Sequence, residues 1–251
     1  MSLLRIERVE KSFGGVRALR GVSFEVERGQ IKALIGPNGA GKTTLFHIVT
    51  GVEKPNSGEV YFKGERIDGK RPDQVVRMGI ARTFQNVRPF AGMTALENVM
   101  AGRHRLTRSG PIRALLRTPS MRREEGRVRE EAAKFLKFVG LEDEADREAS
   151  DLPFGKQRLL ELARALASEP ELLLLDEPAA GLNTRETSEL AELIRRIRKS
   201  GVTVLLVEHD MELVMEVSDE VVVLEGGEKI AEGPPEAVQR DERVIRAYLG
   251  E

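Results

Sequence analysis

Gly36-Pro37-Asn38-Gly39-Ala40-Gly41-Lys42-Thr43 decides how this chain is read. It fits G-x-x-x-x-G-K-[ST], the loop that cradles nucleotide phosphates. The apolar run Ile31-Lys32-Ala33-Leu34-Ile35 before it reads as a buried strand. Thr44-Leu45-Phe46-His47-Ile48-Val49 after it reads as a helix, with Gly51 placed to end it. Strand, loop and helix in that order are the context the motif needs. The glycines let backbone N–H groups turn inward, and the helix N-terminus adds favourable potential for anions. Lys42 is expected to reach the β- and γ-phosphates, and the Thr43 hydroxyl to bind Mg²⁺.

The motif fixes a nucleotide but not a job, since kinases, GTPases, helicases and transport ATPases share it. Composition narrows the field. The 251 residues suffice for one large domain or two small ones. There is no cysteine, which excludes disulfides and thiolate metal sites. Forty basic residues against 41 acidic ones argue against a globally basic nucleic-acid binder. No apolar stretch approaches the ~20 residues that span a bilayer. Charges recur from Arg5 onward, so the start does not read as a signal peptide, and a soluble cytosolic protein is expected.

Working outward, residues 1–30 read as antiparallel strands, with Val22 to Glu27 alternating strictly before the Arg28-Gly29 turn. Val60-Tyr61-Phe62 is another strand. Residues 86–159 read as a helical insertion. Asn86 to Phe90 is loop-like. Thr94-Ala95-Leu96-Glu97 is a capping box opening a helix through Met100. Val128, Ala132, Phe135 and Val139 share one face of a second helix, after an Arg-rich stretch broken by Pro111 and Pro119. From Leu172 the α/β alternation resumes. Leu172–Leu175 and Thr203–Val207 read as strands, and Leu190, Leu193, Ile194 and Ile197 mark the helix between them. Val221–Leu224 opens a terminal hairpin. The expectation is α/β: a phosphate-loop NTPase core with a mainly parallel sheet, an antiparallel β subdomain and an inserted helical subdomain. Residues 1–85 and 160–251 would form the core, and 86–159 the insertion.

The chemistry lies at strand ends. Leu172-Leu173-Leu174-Leu175-Asp176-Glu177 drives a strand into the core and delivers two carboxylates beside the phosphate loop. Asp176 is expected to hold Mg²⁺ through water, and Glu177 to polarise an attacking water. Glu208-His209-Asp210 follows the next strand and should reach the same sheet edge, where His209 can donate to the γ-phosphate. Gln85 stands at the junction with the insertion, its amide suited to coordinate Mg²⁺ or orient water.

Gly36 to Thr44, Gln85, Leu152-Pro153-Phe154-Gly155-Lys156-Gln157-Arg158, Leu172–Glu177, Ala180-Gly181-Leu182-Asn183 and His209 occur in this order. Together they resemble the ATP-binding subunit of ABC transporters, over nearly the whole chain. The resemblance implies a head-to-tail dimer with each ATP between the phosphate loop of one subunit and the signature segment of the other. Gly155 would then serve the γ-phosphate in trans, Phe13 would stack on adenine, and Asn183 would lie in the loop linking the two ATP sites. The signature departs from the usual Leu-Ser-Gly-Gly-Gln: Pro153 replaces the Ser and Lys156 the Gln. Pro suits the first turn of a helix, and Lys156 is left to supply charge.

Ala81 to Phe90, the long insertion, Glu177 to Asn183 and the ending Val244 to Gly250 are similar to one branch, the G-type ATPase subunit of branched-chain amino-acid importers; urea and other amide importers use similar subunits. The resemblance implies ATP and Mg²⁺ as cofactors, a second ATPase subunit, membrane permease subunits and, indirectly, a solute-binding protein as partners, with no nucleic acid. The subunit would sit on the cytoplasmic face of the membrane. Phe84, Val87, Pro89 and Phe90 would help form the groove for a permease helix. From Arg103 to Arg129 there are nine Arg, no Lys and two acids; contact with anionic headgroups or an acidic permease loop is expected of that stretch. The alternatives are a lipid or lipopolysaccharide export ATPase, a soluble ABC ATPase acting on nucleic acid or ribosomes, and a phosphoryl-transferring kinase. The insertion and the ending argue against the first. The lack of a second cassette argues against the second, and the lack of an acceptor-binding segment against the third.

Overall fold

The computed structural model describes residues 2–85, 88–103 and 119–249. Asn86, Val87, Pro111 and Gly250, singled out above, and residues 104–118 of the Arg-rich stretch lie outside the described residues. The strands are β1 (Ser2–Phe13), β2 (Val16–Glu27), β3 (Ile31–Ile35), β4 (Ser57–Phe62), β5 (Glu65–Arg66), β6 (Ile80–Arg82), β7 (Leu172–Asp176), β8 (Thr203–Val207), β9 (Glu220–Glu225) and β10 (Glu228–Gly233). The helices are α1 (Lys42–Val49), α2 (Pro72–Met78), α3 (Ala95–Gly102), α4 (Pro119–Val139), α5 (Phe154–Leu166), α6 (Thr184–Lys199), α7 (Met211–Val217), α8 (Pro235–Gln239) and α9 (Glu242–Leu249). The chain forms two units, Met1–Phe84 with Glu171–Glu251, and Gln85–Pro170. The second unit ends at Pro170 rather than 159 because α5 runs unbroken from Phe154 to Leu166.

In the first unit, β2-β1-β4-β5 make an antiparallel sheet and β10-β9-β3-β8-β7-β6 a second sheet. The second is parallel from β9 to β6, with β10 antiparallel on the edge. Every residue of β3, β7 and β8 is buried, as continuous apolar runs in a doubly covered parallel sheet require. The strand period of two splits those runs between two cores. Leu34, Leu174, Leu205, Val207 and Val222 join α1 and the antiparallel sheet through Leu45, Phe46, Ile6 and Val60. Ala33, Ile35, Val221 and Val223 join Val214 of α7, Val238 of α8 and Val244 of α9.

Helix α1 begins at Lys42, two residues before the expected Thr44, because Gly41 holds the left-handed N-cap at φ +101°. Gly51 follows its end at φ +74°, as the sequence implies.

The second unit packs α3, α4 and α5 together. Thr94 caps α3: its Oγ1 accepts from Glu97 N at 3.2 Å, and Glu97 Oε2 accepts from Thr94 N at 2.8 Å. The helix runs on past Met100 to Gly102. On α4, Ala132 and Val139 are buried and Val128 and Phe135 half-buried; Leu136, absent from the expected face, is also buried. The unit's polar centre is Asn98, fully buried on α3. Its Oδ1 accepts from Phe90 N at 2.8 Å, and its Nδ2 lies 3.0 Å from Thr94 O and 3.3 Å from Phe90 O. One amide thus holds the 90–94 segment onto the helix. Asn98→Ala leaves these backbone groups without their partner and should destabilise the protein by about 1–3 kcal/mol. Urea denaturation of the whole chain measures this, and Asn98→Leu, which restores volume but no polar group, should not recover it.

Candidate nucleotide site

The site of the first unit is built on one sheet edge. Strands β3, β7 and β8 are parallel, so their carboxyl ends lie together, where α/β sheets bind ligands. After Ile35 the chain turns through the phosphate loop. Gly36 takes φ +149°, and a Cβ there would stand 2.1 Å from the Leu224 carbonyl oxygen of β9, so only glycine fits. Gly41 is wedged similarly against β2, where a Cβ would meet Ala18 O at 2.5 Å. The loop is clamped between two strands, with Ala40 N donating to Pro37 O at 3.2 Å.

Lys42 is buried, and its Nζ donates to Gly36 O at 2.7 Å and Pro37 O at 3.0 Å. Burial lowers its pKa, while the Glu177 and Asp176 carboxylates pull it back up. The three expected site residues therefore share one electrostatic environment. Thr43 is exposed and Thr44 half-buried in the first turn of α1.

Asp176, the last residue of β7, is buried and ion-paired: Arg82 Nη2 donates to its Oδ2 at 2.6 Å. Arg82, at the end of the neighbouring β6, is equally covered, and its Nε and Nη1 have no hydrogen-bond partner. Its guanidinium lies 5.6 Å from the Phe46 ring centre and 5.3 Å from that of Phe84. Burial and then the Arg82 charge lower the pKa of His47 on α1. The sequence reading missed Arg82; its only signal was an Arg at the end of an apolar strand beside a strand ending in Asp.

Glu177 leaves β7 in a left-handed conformation, φ +48°, which a non-glycine residue adopts only when its surroundings enforce it. Its N–H donates to Val207 O at 2.8 Å. Its Oε1 lies 2.7 Å from His209 Nε2. The imidazole Nε2 and the carboxylate oxygen thus stand at hydrogen-bond distance. The expected pair Glu177 and His209 is therefore brought into direct contact, on the edge that carries the phosphate loop.

Phe13 ends β1 and is 45% exposed, an open aromatic face, with Lys11 Nζ 4.8 Å from its ring centre. Asn183 caps α6, its Oδ1 accepting from Glu186 N at 3.1 Å. Gln85 and Gly155 belong to the second unit. There, Pro153 is the N-cap of α5 rather than a first-turn residue. Lys156 is ion-paired with Glu144, so its charge is already engaged. Gln157 Nε2 donates to Leu152 O at 2.8 Å, folding the signature segment back on its helix.

This pairing of a phosphate loop with strand-end carboxylates and a histidine is that of a nucleotide triphosphatase, and comparison with known proteins places the chain within one family. Residues 19–180 match the ABC transporter family. Residues 228–251 match a second family, the branched-chain amino acid ATP-binding cassette transporter. The chain is 46% identical over 250 residues to the high-affinity branched-chain amino acid transport ATP-binding protein LivG of Escherichia coli K12, covering 99% of this chain and 98% of that protein. Among solved structures, the ADP conformation of an ATP-binding cassette of an ABC transporter superposes with a TM-score of 0.87 at 36% identity, covering 100% of both chains. The dimeric structure of a bacterial ABC transporter cassette superposes with a TM-score of 0.79 at 26% identity, covering 92% of this chain and 98% of that one. The chain belongs to the ABC transporter family, as an ATP-binding subunit that hydrolyses ATP to drive transport.

Arg82→Met should be strongly destabilising, by about 3–5 kcal/mol, because it strands the Asp176 charge in the protein interior. Thermal denaturation reads the loss. Arg82→Met combined with Asp176→Asn removes both charges and should recover most of it.

Proposed function

We propose that this chain is the ATPase subunit of an importer of branched-chain amino acids or a related solute. The observation that carries the catalytic part is the Glu177–His209 contact of 2.7 Å at the strand edge that ends in the phosphate loop. Glu177 acts as general base on the attacking water, and His209 donates to the γ-phosphate. The loop Gly36-Pro37-Asn38-Gly39-Ala40-Gly41-Lys42-Thr43-Thr44 binds the phosphates, with Lys42 turning from its own loop carbonyls to the phosphate oxygens.

Thr43 and Asp176 of the first unit would hold Mg²⁺, since hydroxyl and carboxylate oxygens are the hard donors it takes; the amide oxygen of Gln85, in the second unit, is a donor of the same kind. No group of three or more His, Cys, Asp or Glu that could hold a metal occurs among the described residues. Mg²⁺ is usually held by one or two carboxylates together with waters and the substrate's own phosphates. Bound there, Mg²⁺ would neutralise charge developing on the β- and γ-phosphate oxygens.

Two copies, or one copy and a similar subunit, form a head-to-tail dimer, in which Gly155 offers its backbone N–H to the partner's ATP and Phe13 stacks on adenine. Permease subunits dock on the dimer at the inner face of the membrane, and a solute-binding protein delivers the solute to them. Support for the branch comes from the match over residues 228–251 and from the near-full-length likeness to LivG. No helix among the described residues is long and apolar enough to cross a membrane.

Glu177→Gln tests the reading. It should keep ATP binding and lose about 10²–10⁴-fold in turnover, the usual worth of general-base assistance. Gel filtration with MgATP should then show an accumulated dimer. Near-normal turnover in this variant would remove the assignment.

A further inference from the structure

The residue before His209 is a carboxylate that the chemistry above does not use. Glu208 is 3% exposed. Its Oε1 accepts from Ala179 N at 2.7 Å. Its Oε2 accepts from His209 N at 2.8 Å and Asp210 N at 3.2 Å. Burial pushes the Glu208 pKa up, and the three backbone donors counter it. Such a group is costly to bury unless hydrogen bonds satisfy it, and here three backbone N–H groups do.

What it holds is the catalytic pair. Three consecutive residues grip the segment after β7. Val207 O accepts from Glu177 N, Glu208 Oε1 accepts from Ala179 N, and His209 Nε2 meets Glu177 Oε1. Glu177 and Ala179 flank Pro178, which has no N–H to give. Fixing Ala179 therefore closes the turn on the far side of Glu177, whose backbone is left-handed. The second oxygen fixes the start of the His209 loop. One rigid carboxylate spans both loops and sets their spacing.

We propose that Glu208 is a positioning residue for ATP hydrolysis: by binding the Ala179 N–H on one oxygen and the His209 and Asp210 N–H groups on the other, it fixes Glu177 against His209. This rests on the catalytic reading of Glu177 and His209 given above. The chemistry requires an acceptor-only group. An amide at 208 offers one oxygen and directs its NH₂ at backbone donors, so Gln is not a neutral replacement.

Glu208→Gln should lower kcat by about 10–100-fold, the scale of a misplacement near 1 Å at a catalytic group. Fluorescent ATP-analogue affinity should stay within about threefold, because the phosphate loop does not depend on Glu208. A merely structural role would move affinity, kcat and thermal stability together. In a double-mutant cycle, adding Glu208→Gln to His209→Ala should cost less than about threefold more, since the pair it positions is already broken. Multiplicative losses in the cycle, or wild-type kcat in Glu208→Gln, overturn the proposal. If Glu208→Gln does not fold, Glu208→Asp, which keeps the acceptors but shortens the span, is read by the same criteria. Glu177→Gln in the same assay separates the two readings: if it is active, the catalytic assignment fails. If it is inactive while Glu208→Gln is normal, only the positioning role fails.

Discussion

The site depends on the register of three parallel strands. Leu34 of β3 and Asp176 of β7 both pair with Val207 of β8. The chain leaves the sheet within two residues of that row on all three strands, at Gly36, Glu177 and Glu208. Phosphate loop, carboxylate and histidine meet because the strands end level. The register is enforced by burial. With both faces of the sheet packed, a one-residue slip would exchange the two cores and place Asp176 in a different environment. The meeting of loop, carboxylate and histidine is thus a by-product of packing Leu, Val and Ile side chains in the two cores.

Charge is balanced locally at that edge. A buried Asp176 without a partner would cost several kcal/mol, and Arg82 is the partner. The guanidinium also lies close to two aromatic rings, one on α1 and one just beyond β6. Lys42 is drawn both ways, by burial toward the neutral form and by the two carboxylates toward the charged one. An incoming triphosphate brings more negative charge to this set. Arg82 keeps Asp176 compensated without drawing on Lys42.

The parts legible in the sequence are those fixed by short spacing. The phosphate loop, the Asp176-Glu177 pair and the Thr94 capping box each declare themselves within eight residues. That Glu208-His209-Asp210 reaches the sheet edge of Asp176-Glu177 was expected from two strands ending in polar residues; the direct contact between Glu177 and His209 was not, and the structure shows it. Arg82 and Glu208 were not legible, because their meaning lies in partners distant along the chain: Asp176 is 94 residues from Arg82, and Ala179 is 29 from Glu208. Leu136 escaped because the helical face was counted from Val128 in steps of three and four, which landed on Phe135 beside it. The end of the second unit escaped because the signature segment reads as a motif, whereas physically it is the first turn of α5, a helix that runs to Leu166.

The ending of the chain belongs to the same construction. Strand β10 closes the parallel sheet on one edge, and Val238 and Val244 complete the core on the face away from α1. Tyr248 follows one turn after Val244. Burial raises its pKa and a hydrogen bond with the Gly36 backbone lowers it. Gly36 is the residue whose missing side chain lets the loop lie against Leu224 of β9, the strand that β10 pairs with. The segment that distinguishes this branch of the family is therefore packed against the first residue of the nucleotide loop. The ending of the chain is thereby part of the packing behind the phosphate loop rather than an appendage to it.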